Sequence, residues 1–284
     1  MRTIPRTPEA AVAHFIDELR VEQVDALRFR GSPGEAPWER VFGGTVLAQA
    51  SMAAARTVGA ERSQHSLHAY FLRGGTHQLP IEYVVDPVRD GRTFSARHVS
   101  ALQDGETICD LMVSFARPED GIAHADPMPE VPPPETCRPH VWDPPPGIDP
   151  ETLPMWPFEM LAVTPDRIAG PGEDPSDVGW IRMRSPLPDD QLLHTAALVC
   201  QSDGGSLGAV WRRHGPFAPR SSASLDHALW LHRPCRWDDW LLFVTTSPVA
   251  HSARSLSLRS IYTRDGVHVA TMAQEALFRP ARAE

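Results

Sequence analysis

The sequence predicts an α+β chain built twice on one plan, each half a long helix wrapped by an antiparallel sheet. Three observations predict it. Two distant stretches, SARHVSALQDGETICDLMVSFARP (95–118) and SARSLSLRSIYTRDGVHVATMAQEALFRP (252–280, in which the leading Ser-Ala-Arg is 252–254), open alike, carry Asp-Gly in the middle and close on Arg-Pro. Between them, from Pro118 to Pro150, stand eleven of the chain's 29 prolines. On either side of that seam the order of elements is the same.

In the first half, VDALRFRG (24–31) reads as a short strand. The helical stretch GGTVLAQASMAAART (43–57) follows, then the strand-like segments HSLHAYFLR, PIEYVVDP, TFSARHVSAL and ETICDLMVSFARP. Gln103-Asp104-Gly105 supplies a tight hairpin turn between the last two. Prolines at the density of 118–150 suit an extended linker and exclude a helix or an inner strand. In the second half, FEMLAVTP and GWIRMR precede the helical stretch DDQLLHTAALVCQSD (189–203). The segments ASLDHALWLHRP, WLLFVTTSP, HSARSLSLRSIY and VHVATMAQEALFRP follow, with Arg264-Asp265-Gly266 as the turn. One helix with a strongly antiparallel sheet is most economically packed as a hotdog, the sheet curling round the helix to bury its apolar stripe. The expected architecture is therefore a tandem double hotdog: an N-terminal unit 1–118, a Pro-rich linker 119–150 and a C-terminal unit 151–284. A second copy extends the sheet edge that a single hotdog leaves open.

Composition excludes several functions. The chain has no Lys and no Asn, so it holds no Schiff-base lysine, no P-loop GK[ST] and no Cys-His-Asn triad. Its net charge of -9 argues against nucleic acid as a partner. No apolar run approaches the ~20 residues of a membrane span, and MRTIPRTPEAA has no signal-like apolar region. Cys109, Cys137, Cys200 and Cys235 lie far apart and read as reduced thiols, so a cytoplasmic protein is expected.

In the second helix Leu192, Ala196, Val199 and Asp203 follow helical spacing, which puts Asp203 on the apolar stripe at the last turn, before Gly204-Gly205. A carboxylate there faces the core or a cleft and suits a general base; the competing reading is an acid pointing into water at a frayed end. In the last strand Ala270, Met272, Gln274, Ala276 and Phe278 share one face, and Gln274 alone is polar. A buried amide needs partners, either a reacting water or ordinary backbone. Alternation over 224–231 puts Ser224 and Asp226 on one face and Leu225, His227, Leu229 and Leu231 on the other. Asp226 and His227 are thus a poor base-and-orienter pair, and His65 with His68 a poor metal pair.

VFGGTVLAQA, HSLHAYFLRGG, RDGRTFSARHVSALQDGE, PDDQLLHTAALVCQSD, LDHALWLHRP and DGVHVATMAQEALFR, taken in order, resemble the acyl-CoA thioesterase II family, whose members are double hotdogs. The resemblance spans nearly the whole chain outside the linker. It implies hydrolysis of acyl-CoA to a free acid and CoA, no cofactor or metal, and a water-activating network of Asp203, Ser224 and Gln274. One departure is Gly-Gly-Ser-Leu-Gly after Asp203, more flexible than the family's bulkier run at that place. Gly43-Gly44 opens the first helix, whose N-terminal amides suit a developing oxyanion, with Gly44 as a donor across the halves. The first helix ends Ala-Ala-Ala-Arg, and string alignment sets Met112 against Gln274, so one centre per chain follows. A homo-oligomer is expected, a dimer of double hotdogs or higher. Two alternatives stand beside this: a non-catalytic acyl-CoA binding or sensing protein, and a hotdog hydratase or dehydratase, which would need a His beside the acid.

Overall fold

The computed structural model describes residues 4–34, 39–140, 148–149, 153–165, 167–215 and 219–280. The first half runs α1 (Pro8–Leu19), β1 (Val21–Gln23), β2 (Arg28–Gly31), α2 (Gly43–Ala55), β3 (Ser63–Phe71), β4 (Ile81–Asp90), β5 (Phe94–Gln103) and β6 (Glu106–Ala116). A 3-10 turn (Pro134–Thr136) and β7 (Arg138–Pro139) occupy the seam. The second half runs β8 (Phe158–Ala162), β9 (Asp177–Met183), α3 (Gln191–Asp203), α4 (Gly208–His214), β10 (Pro219–Ser224), β11 (Asp226–Leu231), β12 (Leu241–His251), β13 (Arg254–Thr263) and β14 (His268–Pro280).

Among the described residues the strands join one antiparallel sheet in the order β1-β2-β4-β5-β6-β3-β11-β14-β13-β12-β9-β8-β7, with β10 beside β14. Read inward from β1 and from β8, with β7 as an extra edge strand, the order is the same up to the β3–β11 junction, where Ala228 faces His68 and Leu229 faces Leu67. The duplication expected from the sequence is thus a duplication of topology. Each half contributes one central helix, α2 or α3, and the two helices pack on each other.

That packing changes the reading of the helices. A helix with a sheet on one side and a second helix on the other has no wet face, so the apolar stripe widens to the whole circumference. Gly44 through Ala54 are all buried in α2, as are Ala196 through Asp203 in α3. The close approach of the two helices is seen at Gly44, where an added Cβ would lie 2.2 Å from the Cys200 carbonyl oxygen. α1 was not among the expected elements, although Thr7, whose hydroxyl accepts from the amide of Ala10, and Pro8 at the first turn mark its start. Its Phe15 ring meets Phe158 edge-on at 5.3 Å, and Phe158 in turn lies 4.9 Å from Trp237, so α1 bridges the halves.

Among its described residues the Pro-rich seam holds no inner strand: β7 pairs only with β8, at the sheet edge where a missing amide costs nothing. It is anchored by a hydrogen bond from Trp180 Nε1 to the Pro132 carbonyl (2.9 Å) and by the Arg264–Glu135 ion pair. Pro144-Pro145-Pro146 lie outside the described residues.

Two string matches are out of register in three dimensions. Ser95-Ala96-Arg97 lies within β5 and turns Arg97 inward. Ser252-Ala253 forms a tight turn with φ of 51° and 59°, and Arg254 is exposed against Glu275. The same three letters therefore stand at a turn in one hairpin and inside a strand in the other. The β5–β6 and β13–β14 hairpins share one bulge, just after Ala101–Cys109 and just after Ile261–Ala270. Val113 stands as far beyond Cys109 as Gln274 beyond Ala270, so Val113, not the outward-facing Met112, occupies the place of Gln274.

Candidate active site

α3 begins with Asp190 capping the amide of Leu192 and ends at Asp203. The carbonyls of the last turn, which have no helical partner, are taken by a side chain from the sheet. Arg259 on β13 donates from Nη1 to the carbonyls of Ser202 (2.8 Å) and Gly204 (2.7 Å), and from Nε to Thr245 Oγ1 (2.8 Å). Burial lowers the Arg259 pKa to about 10, opposed by the charges of Asp177 and Asp203, so the guanidinium remains charged at neutral pH. With its terminus held, α3 keeps the Asp203 side chain inside, 7% exposed. The frayed-end reading is excluded by this capping.

Ser224 Oγ donates to Asp203 Oδ1 at 3.4 Å. Gln274 Nε2 donates to Ser224 Oγ at 2.8 Å and to Ser206 Oγ at 2.9 Å. Gln274 Oε1 lies 2.5 Å from His227 Nδ1, and His227 Nε2 lies 3.0 Å from Ser202 Oγ. The structure therefore brings Asp203, Ser224 and Gln274 together. It adds Ser206 and His227, which the sequence reading passed over. Alternation had set Ser224 and His227 on opposite faces, yet both reach Gln274. The chain is irregular at Leu225, whose amide bonds the Glu275 carbonyl while its own carbonyl takes the Phe71 amide. From Ser224↔Ala276 to Ala228↔Ala273 the 224–228 side carries one residue more than β14, which turns His227 inward. Asp226 points elsewhere and accepts the Glu275 amide at 2.8 Å, as expected of a residue unpaired with His227.

The Gly-Gly-Ser run is what delivers Ser206. Gly205 has φ +65°, a left-handed turn that folds Ser206 back under Gln274. The only hint in the sequence was a hydroxyl three residues past the acid. Arg97 and Arg259, 2% and 3% exposed, gave no hint at all, because an Arg in a strand normally reads as solvent-facing.

Gly43 and Gly44 stand at the start of α2, and the N-cap Phe42 provides no side-chain bond to the free amides. A Cβ on Gly43 would lie 2.9 Å from Asp203 Oδ2 and 2.9 Å from the Phe71 ring, so the carboxylate of one half sits against the helix start of the other. A Cβ on Gly44 would lie 2.2 Å from the Cys200 carbonyl oxygen, which makes Gly44 the contact point between the helices. The corresponding place in the first half is different. Ala55 ends α2, Val113 replaces Gln274, and Gln64, opposite Phe115 as Ser224 is opposite Ala276, replaces the hydroxyl. Arg97 fills the space with bonds to Thr57 Oγ1, the Thr57 carbonyl and Asp90. Among the described residues no group of His, Cys, Asp and Glu could hold a metal ion.

Two hotdog units sharing one carboxylate–hydroxyl–amide cluster, set against an uncapped helix start, define a double-hotdog hydrolase of the thioesterase class. Residues 33–116 match the family described as acyl-CoA thioesterase N-terminal domain, and residues 134–278 match the acyl-CoA thioesterase C-terminal domain. Human acyl-coenzyme A thioesterase 8 is 33% identical over 282 residues, covering 92% of this chain and 87% of that protein. Acyl-CoA thioesterase 2 of Haemophilus influenzae is 32% identical, covering 94% and 97%. The crystal structure of acyl-CoA thioesterase II TesB2 from Mycobacterium marinum superposes with a TM-score of 0.80 at 38% identity, covering 94% and 98%. The chain belongs to the acyl-CoA thioesterase II family.

Proposed function

We infer that this enzyme hydrolyses acyl-CoA thioesters at a single centre by direct attack of water, with Asp203 as base. The acyl-CoA thioesterase activity itself follows from the family. The observation that carries the mechanism is the chain of bonds from Gln274 through Ser224 to Asp203 beside the start of α2. Asp203 takes a proton from the water as its oxygen bonds the thioester carbonyl carbon. Ser224 holds that water in line, and Gln274, buried with both amide hydrogens engaged, holds Ser224 in place. The oxyanion of the tetrahedral adduct is received by the amides of Gly43 and Gly44, where the helix dipole favours negative charge. Collapse breaks the C–S bond, and the CoA thiolate leaves with the proton that Asp203 took from the water, which restores the carboxylate.

One centre per chain accords with Ala55, Val113 and buried Arg97 in the first half, which lack an acid and the amide. The units are taken as 1–118 and 151–284, joined by 119–150. The protein is taken to act in the cytoplasm, in keeping with its free cysteines, and as a homo-oligomer. Among the described residues no helix is long and apolar enough to cross a membrane. A hydratase would need a His able to reach substrate. His227 is beside the site, but it is 1% exposed and both its nitrogens are engaged.

The test is thiol release from short- to long-chain acyl-CoAs by the parent and by Asp203→Asn. Asparagine keeps the shape but cannot accept the proton, so kcat should fall by roughly two orders of magnitude or more while the protein stays folded. Near-parental turnover by the variant would remove Asp203 from the role of base.

A further inference from the structure

We propose that His227 is a positioning residue which fixes the direction of the Gln274 amide, and through it the direction of the hydrogen bond from Ser224 to Asp203. The proposal rests on the reading of Asp203, Ser224 and Gln274 given above.

The amide of Gln274 can lie either way round, and its serine neighbours cannot choose. Ser224 and Ser206 are hydroxyls, which accept or donate according to what faces them. Two neutral arrangements of the network are self-consistent. In the first, Ser202 donates to His227 Nε2, and Nδ1–H donates to Gln274 Oε1. Both hydrogens of the amide then find acceptors, Ser224 and Ser206, and the Ser224 hydroxyl is free to donate to Asp203. In the second, Ser202 donates to the Val199 carbonyl, 2.8 Å away, and His227 carries its proton on Nε2. The amide must then turn its NH2 toward Nδ1. One amide hydrogen is left without an acceptor, and Oε1 draws the Ser224 hydroxyl away from the carboxylate.

The second arrangement buries an unpaired donor and strips Asp203 of its hydroxyl; the first has neither defect and costs only the bond from the Ser202 hydroxyl to the Val199 carbonyl, because its single hydrogen goes to His227 Nε2 instead. The structure adopts the amide direction of the first. His227 is 1% exposed, and its burial lowers its proton affinity, which keeps the ring neutral and the tautomer meaningful. A ring so placed cannot touch substrate. Its contribution is to present an N–H where the amide oxygen must be, as ring nitrogens are set by the bond the opposite nitrogen makes.

Three variants separate direction from bulk. In His227→Asn the side-chain amide nitrogen takes the place of Nδ1 and can donate to Oε1. In His227→Gln the nitrogen reaches only the place of Nε2, and His227→Leu has no donor. The Asn variant should keep kcat within about threefold of the parent. The Gln and Leu variants should lose about ten- to a hundredfold in kcat with KM little changed, the size usual for a residue that orients another. Asp203→Asn is run alongside. If it is active, the site assignment fails. If it is inactive while folded His227→Gln or His227→Leu turns over at the parental rate, only the role of His227 fails. An Asn variant as slow as the Gln variant also overturns the proposal. Should the buried substitutions fail to fold, 15N NMR of histidine-labelled parent protein decides alone. A His227 ring protonated at Nδ1 and bare at Nε2 supports the proposal, and the opposite tautomer refutes it.

Discussion

Alanine placed at Gly43 and at Gly44 should injure different properties of the enzyme, although the two positions are adjacent. At Gly43 the new methyl would sit 2.9 Å from Asp203 Oδ2 and 2.9–3.0 Å from two atoms of the Phe71 ring. Ordinary contact needs about 3.5 Å, so the carboxylate or the ring must retreat by roughly half an ångström. Displacement of a reacting group by about 1 Å costs roughly a hundredfold, so half of that should lower kcat about tenfold. The backbone N–H is retained, so the loss reports the position of Asp203 and not a missing donor. Stability should change little, because the gain of about 0.5–1 kcal/mol from replacing glycine in a helix offsets the crowding. At Gly44 the methyl would meet the Cys200 carbonyl at 2.2 Å and the Phe42 ring at 2.6 Å. Cys200 lies in the last turn of α3, whose end is clamped by Arg259, so its carbonyl has little room to swing aside and the two helices must part. Overpacking of that kind costs about 2–3 kcal/mol, or roughly 4–12 °C of Tm. Thiol release gives kcat and KM, and thermal unfolding gives Tm. Gly43→Ala with parental kcat, or Gly44→Ala with parental Tm, would refute the geometry on which the shared site rests.

Covalent chemistry and pH give two further tests. With water attacking directly, rapid-quench mass spectrometry during turnover should show unmodified protein, and an acyl adduct on Ser224 or a cysteine would overturn the mechanism. Burial lowers the proton affinities of His194 and His227 in the folded state. Below the unfolded value of about 6.5 the unfolded chain therefore binds more protons than the folded one, so stability should decline as pH falls through that value. Urea unfolding between pH 7.5 and 5 should show this decline, and His227→Asn should flatten part of it; a parent whose stability rises on acidification contradicts the sign.

Most of the elements, and the inward placement of Asp203 and Gln274, were legible in the sequence because they follow short-range periods. Alternation along β14 puts Gln274 inward, and helical spacing puts Asp203 on a buried side of α3. The matching order of elements disclosed the duplication. What pairing between distant strands decides was not legible. The irregularity at Leu225 exists because β3 and β14 hold that residue from opposite sides, and it alone turns His227 toward Gln274. The same holds for the offset of the two Ser-Ala-Arg strings and for Val113 in the place of Gln274. The buried arginines are the clearest case. Nothing local distinguishes Arg259 from Arg254, but only Arg259 arrives where the last carbonyls of α3 lack partners, and the tertiary approach of β13 to that helix end makes a buried charge favourable there.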